Sequence, residues 1–434
     1  MKRKISISTT ITLVLLTAAL TVSLTMLLAM RLFNSQLQLV GQRQAMYNHI
    51  NAVDKKVRKY YPNLNEEALR QGITQGYIYG LNDPYAVYYN PTRWAAEKTR
   101  SEGKSTNVGV ALSLDADARV VVSRVQNDSA AGKAGVQVGD LVTAVDGTSI
   151  EGKSLSELQS LVSTAEQVLL TVQRGEESHA YDLKSYEYTV RSVQDTMIGS
   201  VGYIKITAFY ENTPDQFRAV ISAMLEQGVT GLVFDLRNNA GGSYEAVQEM
   251  LGYIMPLGSY GMMTDVNGNT TKLNSSSSNH LSVSSVTLVN SGTAGEAEFF
   301  AGALQDASLT TVVGQTSAGK AKYQDYFVLD SDSSAVKLTV GEYGLLKSGS
   351  WQDKGIVPTV MVELPAEQMA IYQLLRPEED AQVQAAVEQI STSEHHGTNT
   401  ETTTTTEATT TTTEGETTDT TGEDTSTTAA ETEE

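Results

Sequence analysis

The segment Ser285–Asp306, SVTLVNSGTAGEAEFFAGALQD, leaves a folding chain few choices. Val286, Leu288 and Val289 predict a buried strand, Ser291–Gly295 a turn of small residues, and Ala297, Phe300, Ala301 and Leu304 the apolar face of a helix. A strand that breaks sharply into a helix leaves backbone N–H groups free at the helix start, aimed at whatever lies over the turn. Such a turn suits an oxyanion, and nucleophiles are often mounted on one. This turn carries no nucleophile where one is most expected.

The 434 residues are enough for two or three domains, and a hydrophobic share of 40% makes most of the chain globular. With Cys at 0 there is no disulfide, no thiolate metal site and no cysteine nucleophile. The formal charge of −20 argues against nucleic acid as a partner. About half of that charge lies after Ser393, in a tail with acidic residues and no Lys or Arg.

Met1–Lys4 is basic, Ile5–Met30 has no charge, and Arg31 closes the run. The run exceeds the roughly 20 residues that span a bilayer and the roughly 7–15 of a cleavable signal core. It predicts a single membrane-spanning helix with the basic tip inside and the body outside; a long, cleaved signal peptide is the alternative. From Asn34 the chain reads as helical, with Ala45, Ile50, Val53 and Val57 on one face. A second helix begins near Asn65 and ends around Gly80–Tyr85, where Asp83 precedes a proline.

Residues 105–190 read as a small β-rich domain, with strands at 108–114, 119–125 and 168–174. A helix over 154–162 starts in a capping box, Ser154 with Glu157. The run SAAGKAGVQVGDLVTAVDG resembles a PDZ domain, which implies capture of C-terminal peptides by β-augmentation. By position the carboxylate loop would be Val108-Gly109-Val110-Ala111; a PDZ fold serving only as spacer or lid is the plainer alternative. After Ser200 strands alternate with helices, which predicts an α/β core. Asp235-Leu236-Arg237-Asn238-Asn239-Ala240-Gly241-Gly242 follows one strand and presents backbone N–H groups at its end. A last helix covers about 380–390. From Thr392 the Thr/Glu-rich composition predicts disorder.

A Ser-His-Asp set is hard to build from His49, His179, His280, His395 and His396, and the same scarcity argues against a histidine metal site. A hydrolase without histidine can use a neutral lysine as base, and Lys320 in Thr316-Ser317-Ala318-Gly319-Lys320 is the best-placed candidate. Ordered motifs sharpen this reading: GLNDPYAVYY (80–89), GYIKITAF (202–209), LVFDLRNNAGG (232–242), LVNSGTAGEAEFFAGALQD (288–306), VVGQTSAGKAKYQ (312–324) and KGIVPTV (354–360). With them the chain resembles the carboxyl-terminal processing peptidases, the S41 serine/lysine family, from about Val57 to Ile390.

The resemblance implies an α/β fold. A crotonase/ClpP-like S41 core of mixed strands and helices (191–391) carries an inserted PDZ domain (105–190). A helical segment (34–104), an anchor (1–33) and a tail (392–434) complete the chain. It implies Lys320 as base, Gln324 as the residue holding it, and an oxyanion hole from Gly241, Gly242 and the N–H of Glu296. The family's nucleophilic serine falls on Gly295, which has no side chain, and Glu296 replaces a small residue beside the hole.

The reading is therefore an anchored S41-type protein that binds C-terminal tails of exported polypeptides, uses no cofactor or metal, and has impaired hydrolysis. The alternative is an active endopeptidase in which Thr293 or Ser291 attacks. A cell-surface protein using its PDZ domain only for assembly is a third.

Overall fold

No proline occurs before Pro62, and a single helix runs unbroken from Ile7 to Tyr60. Sequence analysis divides this stretch at Asn34. The helix itself continues across that point, since nothing between Met30 and Tyr60 removes a helical N–H or clashes with a preceding carbonyl. In this computed structural model, residues 7–275 and 280–398 are described. The basic tip and the tail beyond Thr398 lie outside them. Thr10–Phe33 is an apolar window of 24 residues with exposed side chains and a mean hydropathy of 2.3. Thr12, Thr17, Thr21 and Thr25 each donate their hydroxyl to a carbonyl four residues back, so these four side chains present no unpaired donor.

The chain forms two units, residues 1–95 with 324–339, and 96–323 with 340–434. In the first, the helix Glu66–Tyr79 starts where Asn65 Oδ1 accepts the Ala68 N–H at 3.0 Å. Asp83 closes an Asx turn by accepting the Tyr85 N–H at 2.9 Å. The strand Val87–Tyr89 then pairs antiparallel with Ala335–Lys337.

The second unit begins with the β-rich domain. Strands β1 (Val110–Leu114), β2 (Val120–Val125), β3 (Leu141–Val145), β4 (Gln167–Arg174) and β5 (Glu177–Lys184) pair in that order, leaving β1 at an edge. Helix α1 (Leu155–Thr164) packs against β1, and its Ser154/Glu157 capping box forms as the spacing predicts. Asp140 of the Gly-Asp motif is buried, bonded to Arg174 through both oxygens at 2.7 Å.

The core sheet is built from β6 (Val193–Ile198), β7 (Val201–Ile206), β8 (Gly231–Asp235), β9 (Ser284–Val289), β10 (Thr310–Gly314) and β11 (Val360–Met361), in that order. The first pair is antiparallel and the rest are parallel. Helices α2 (Thr213–Glu226), α3 (Tyr244–Ile254) and α4 (Glu296–Asp306) cover one face. Helix α5 (Ala381–Thr398) covers the other and continues past residue 392. Both faces are therefore dry, which is why β8 reads as an unbroken apolar run. Leu232 and Phe234 point to Phe217, Phe300 and the α2–α4 layer, while Val233 points to Val383, Ala386 and Ile390.

One ion network pins this architecture at the end of β8. Arg237 donates to both oxygens of Asp235 (2.9 and 2.6 Å), meets Asp380 at 2.8 Å and Gln382 at 2.8 Å, and is 3% exposed. Tyr203 adds a 2.6 Å hydrogen bond to Asp235. Burial pushes the Asp235 carboxyl up, but the Arg237 guanidinium outweighs it and holds the group down at about 2. Arg237→Ala strands two buried carboxylates and should lower stability by about 3–5 kcal/mol in a denaturation titration. Because the folded pKa of Asp235 lies below its unfolded value of about 3.9, its contribution is whole above that value. It should be lost as pH falls towards 2.

Candidate active site

Strand β9 is buried from Ser285 to Val289, and the chain leaves it through a turn braced from both sides. Asn290 Oδ1 accepts the N–H groups of Asn238 (2.9 Å) and Gly292 (3.1 Å). Thr293 is fully buried; its hydroxyl donates to the Leu236 carbonyl (2.9 Å) and accepts the Asn290 N–H (3.0 Å). The Ala294 N–H bonds to Asn239 and the Ala318 N–H to Thr293. The Asp-Leu-Arg-Asn-Asn motif, the turn and the lysine loop are thus sewn together through backbone groups.

Gly295 sits at the head of α4 with φ 61° and ψ −122°, a conformation that side-chain-bearing residues seldom adopt. The place for a side chain is nevertheless open. A Cβ there would have only Ala240 O at 3.7 Å and Lys320 Cδ at 3.9 Å as neighbours. Lys320 is half-buried, its Cδ 3.9 Å from the place a Cβ at position 295 would take.

Glu298 explains why the turn and the lysine loop share one geometry. Its carboxylate, with no exposed surface, accepts four hydrogen bonds: Gly295 N–H (2.9 Å) and Lys320 N–H (2.8 Å) on Oε2, Gly319 N–H (2.6 Å) and Ser317 hydroxyl (2.5 Å) on Oε1. Sequence reasoning assigned this residue no role. Its signal was a glutamate at the third position of the helix, the acidic half of a capping box.

The Gly-Gly turn lies against the same helix start. Gly242 has φ 152°, and a Cβ there would meet Phe209 O at 2.0 Å; Gly241, at φ 97°, would meet Glu296 Oε2 at 2.3 Å. Both positions need glycine because backbone and carboxylate approach so closely. The Gly241 N–H is taken by Asn239 Oδ1 (2.9 Å), so of the two glycines only Gly242 turns its N–H towards α4. That N–H donates to the Glu296 carboxylate at 3.0 Å, and the Tyr343 hydroxyl reaches the other oxygen at 3.3 Å. Burial and then the Glu296 charge push the Tyr343 phenol well above its ordinary value, so it stays a donor. Gln324 lies in the other unit, where its side chain donates to the Tyr85 carbonyl at 2.6 Å.

At the β-rich domain, Val108 is fully buried and Gly109 has φ 86°, where a Cβ would strike Ser129 at 2.0 Å. The Gly109 N–H bonds to Asn107 Oδ1 (2.7 Å). Across Val110 and Ala111, the Leu112 N–H bonds to Gln159 Oε1 (2.7 Å), while Gln159 Nε2 reaches the Val110 carbonyl at 3.4 Å.

Two stretches of the second unit match known families. Residues 200–362 match the family model of peptidase family S41, and residues 121–174 that of the PDZ domain. The chain is 28% identical over 364 residues to the carboxy-terminal processing protease CtpA of Bacillus subtilis, covering 81% of this chain and 76% of that one. It is 28% identical over 317 residues to CtpB of the same organism, covering 71% of this chain and 65% of that one, just under two thirds. The crystal structure of an S41 protease from Bacteroides fragilis shares the fold, with a TM-score of 0.55 at 17% identity over 72% of this chain and 87% of that one.

Gly295→Ser should fold, since its Cβ has room, at a cost of about 1–3 kcal/mol for the strained backbone. Glu298→Ala should cost more in the same denaturation titration, because each buried donor it abandons costs about 1–3 kcal/mol.

Proposed function

We propose that this chain, which belongs to peptidase family S41 and carries a PDZ domain, captures the C-terminal tails of exported polypeptides but hydrolyses them poorly or not at all. Acyl transfer on such a scaffold needs a hydroxyl facing the base and an empty set of N–H donors for the developing oxyanion. Gly295 has no side chain to supply the first. The single observation that carries the proposal concerns the second: the Gly242 N–H already holds the carboxylate of Glu296. A substrate oxygen gathering negative charge there would meet a resident anion instead of a free donor.

Lys320, with its backbone clamped beside Gly295 by Glu298, is the residue this reading assigns as base. Thr293 is a poor substitute nucleophile, since it is buried and its proton is given to the Leu236 carbonyl. Loss of a triad-type nucleophile removes about 10⁶ in turnover, and loss of one oxyanion donor about 10²–10³.

Peptide capture falls to the loop Val108–Ala111 and the edge of β1, where an added strand would replace the side-chain amides of Asn107 and Gln159. The exposed apolar window Thr10–Phe33, following a basic tip, supports an anchored protein whose body faces outward.

The full chain, purified in detergent and given an unfolded polypeptide, should show no Lys320-dependent cleavage. Gly295→Ser alone should remain about 10²–10³-fold below Gly295→Ser with Glu296→Ala, and Lys320→Ala should abolish whatever the double variant gains. Cleavage by the unaltered chain that disappears in Lys320→Ala would contradict the proposal.

A further inference from the structure

The groove beside β1 is occupied by the chain's own amide side chains. Gln159, bonded to the Leu112 N–H and reaching the Val110 carbonyl, engages the two outward-facing groups that an added strand uses. Asn107 Oδ1 receives two donors, the Gly109 N–H at 2.7 Å and the Tyr188 hydroxyl at 2.8 Å, and so stands where one oxygen of a carboxylate would sit.

Next to these groups lies a cavity of about 420 Å³ whose lining includes Arg100, Lys104 and Arg124 and no Asp or Glu. Two of those cations are neutralised: Arg100 by Glu97 at 2.9 and 2.6 Å, Lys104 by Glu102 at 3.0 Å and Glu187 at 3.8 Å. Arg124 is different. It is exposed on β2, directly opposite Ala111 in the ladder, and among the described residues no carboxylate lies within ion-pair distance of it. A guanidinium left unneutralised at the side of a peptide groove favours a ligand that brings the missing charge.

We infer that Arg124 determines which tails the groove takes: C-terminal segments with an acidic side chain close to the terminal carboxylate. The inference rests on the reading of Val108–Ala111 as the peptide-capturing loop. The tail lies along β1 after displacing the Gln159 amide, and the acidic side chain pairs with Arg124 across the strand. Charge-assisted hydrogen bonds of this kind discriminate by about tenfold, less as salt screens the partly exposed pair.

The test is fluorescence anisotropy with the full chain in detergent and labelled ten-residue alanine/serine peptides. These carry Glu or Gln at the second, third or fourth position from a free C-terminus, and a matching set has an amidated C-terminus. At one of those positions the Glu peptide should bind about tenfold more tightly than its Gln twin. Arg124→Gln should bring that ratio to about one, and Arg124→Glu should invert it. Equal binding of Glu and Gln peptides at all three positions, or a ratio that survives Arg124→Gln, would overturn the inference while leaving tail capture intact. Amidated peptides that bind as well as free ones, or no binding by any peptide, would overturn the capture reading and this inference with it.

Discussion

A buried carboxylate is costly unless donors surround it, and Glu298 is surrounded by four. Three of them are backbone N–H groups from two segments that sequence alone does not connect, the turn after β9 and the loop carrying Lys320. Meeting them fixes the position of Gly295 against Gly319 and Lys320 to within hydrogen-bond tolerance. The start of α4 supports the charge as well, through the partial positive end of the helix. Because this clamp uses no atom of a side chain at position 295, the site keeps its shape whether or not a nucleophile stands there.

That independence lets the framework hold its geometry with glycine at position 295. The backbone at Gly295 would be strained for a residue with a side chain, and glycine carries no such local cost. Glu296 then finds partners in the space such a site would otherwise hold open, one oxygen on the Gly242 N–H and the other on Tyr343. The result is a stable, internally satisfied arrangement. On the proposed reading, the interaction that stabilises it is the one that would oppose an incoming carbonyl.

Local chemistry was readable before any coordinate. The strand–turn–helix at 285–306, the Ser154/Glu157 capping box, the helix start near Asn65 and the alternating elements of the core follow from spacing and residue type. The long-range polar contacts were not. Arg237 meets Gln382, 145 residues away, and nothing in either segment names the other. The motif placed Gly241 and Gly242 together, yet only coordinates separate them into one N–H committed to Asn239 and one on Glu296. Propensity sees a turn rich in glycine; which donor faces the cleft depends on dihedrals set by neighbours in space. The helix that runs through Asn34 joins two stretches that the sequence reads as an anchor and a helical segment.

The two halves of the second unit share a theme, since in each the chain's own polar side chains occupy the groups that the proposed ligands would need: Glu296 at the strand-end turn, Asn107 and Gln159 at the groove. They differ in consequence, for an amide can be displaced by a better strand, whereas an absent hydroxyl cannot be displaced into existence. The most direct measurement is therefore intact-mass and peptide-mapping spectrometry of the full chain after exposure to a fluorophosphonate, which forms a covalent adduct with activated hydroxyls. The account predicts no adduct anywhere in residues 284–323. A stoichiometric adduct on Ser291, Thr293 or Ser317 that depends on Lys320 would contradict it.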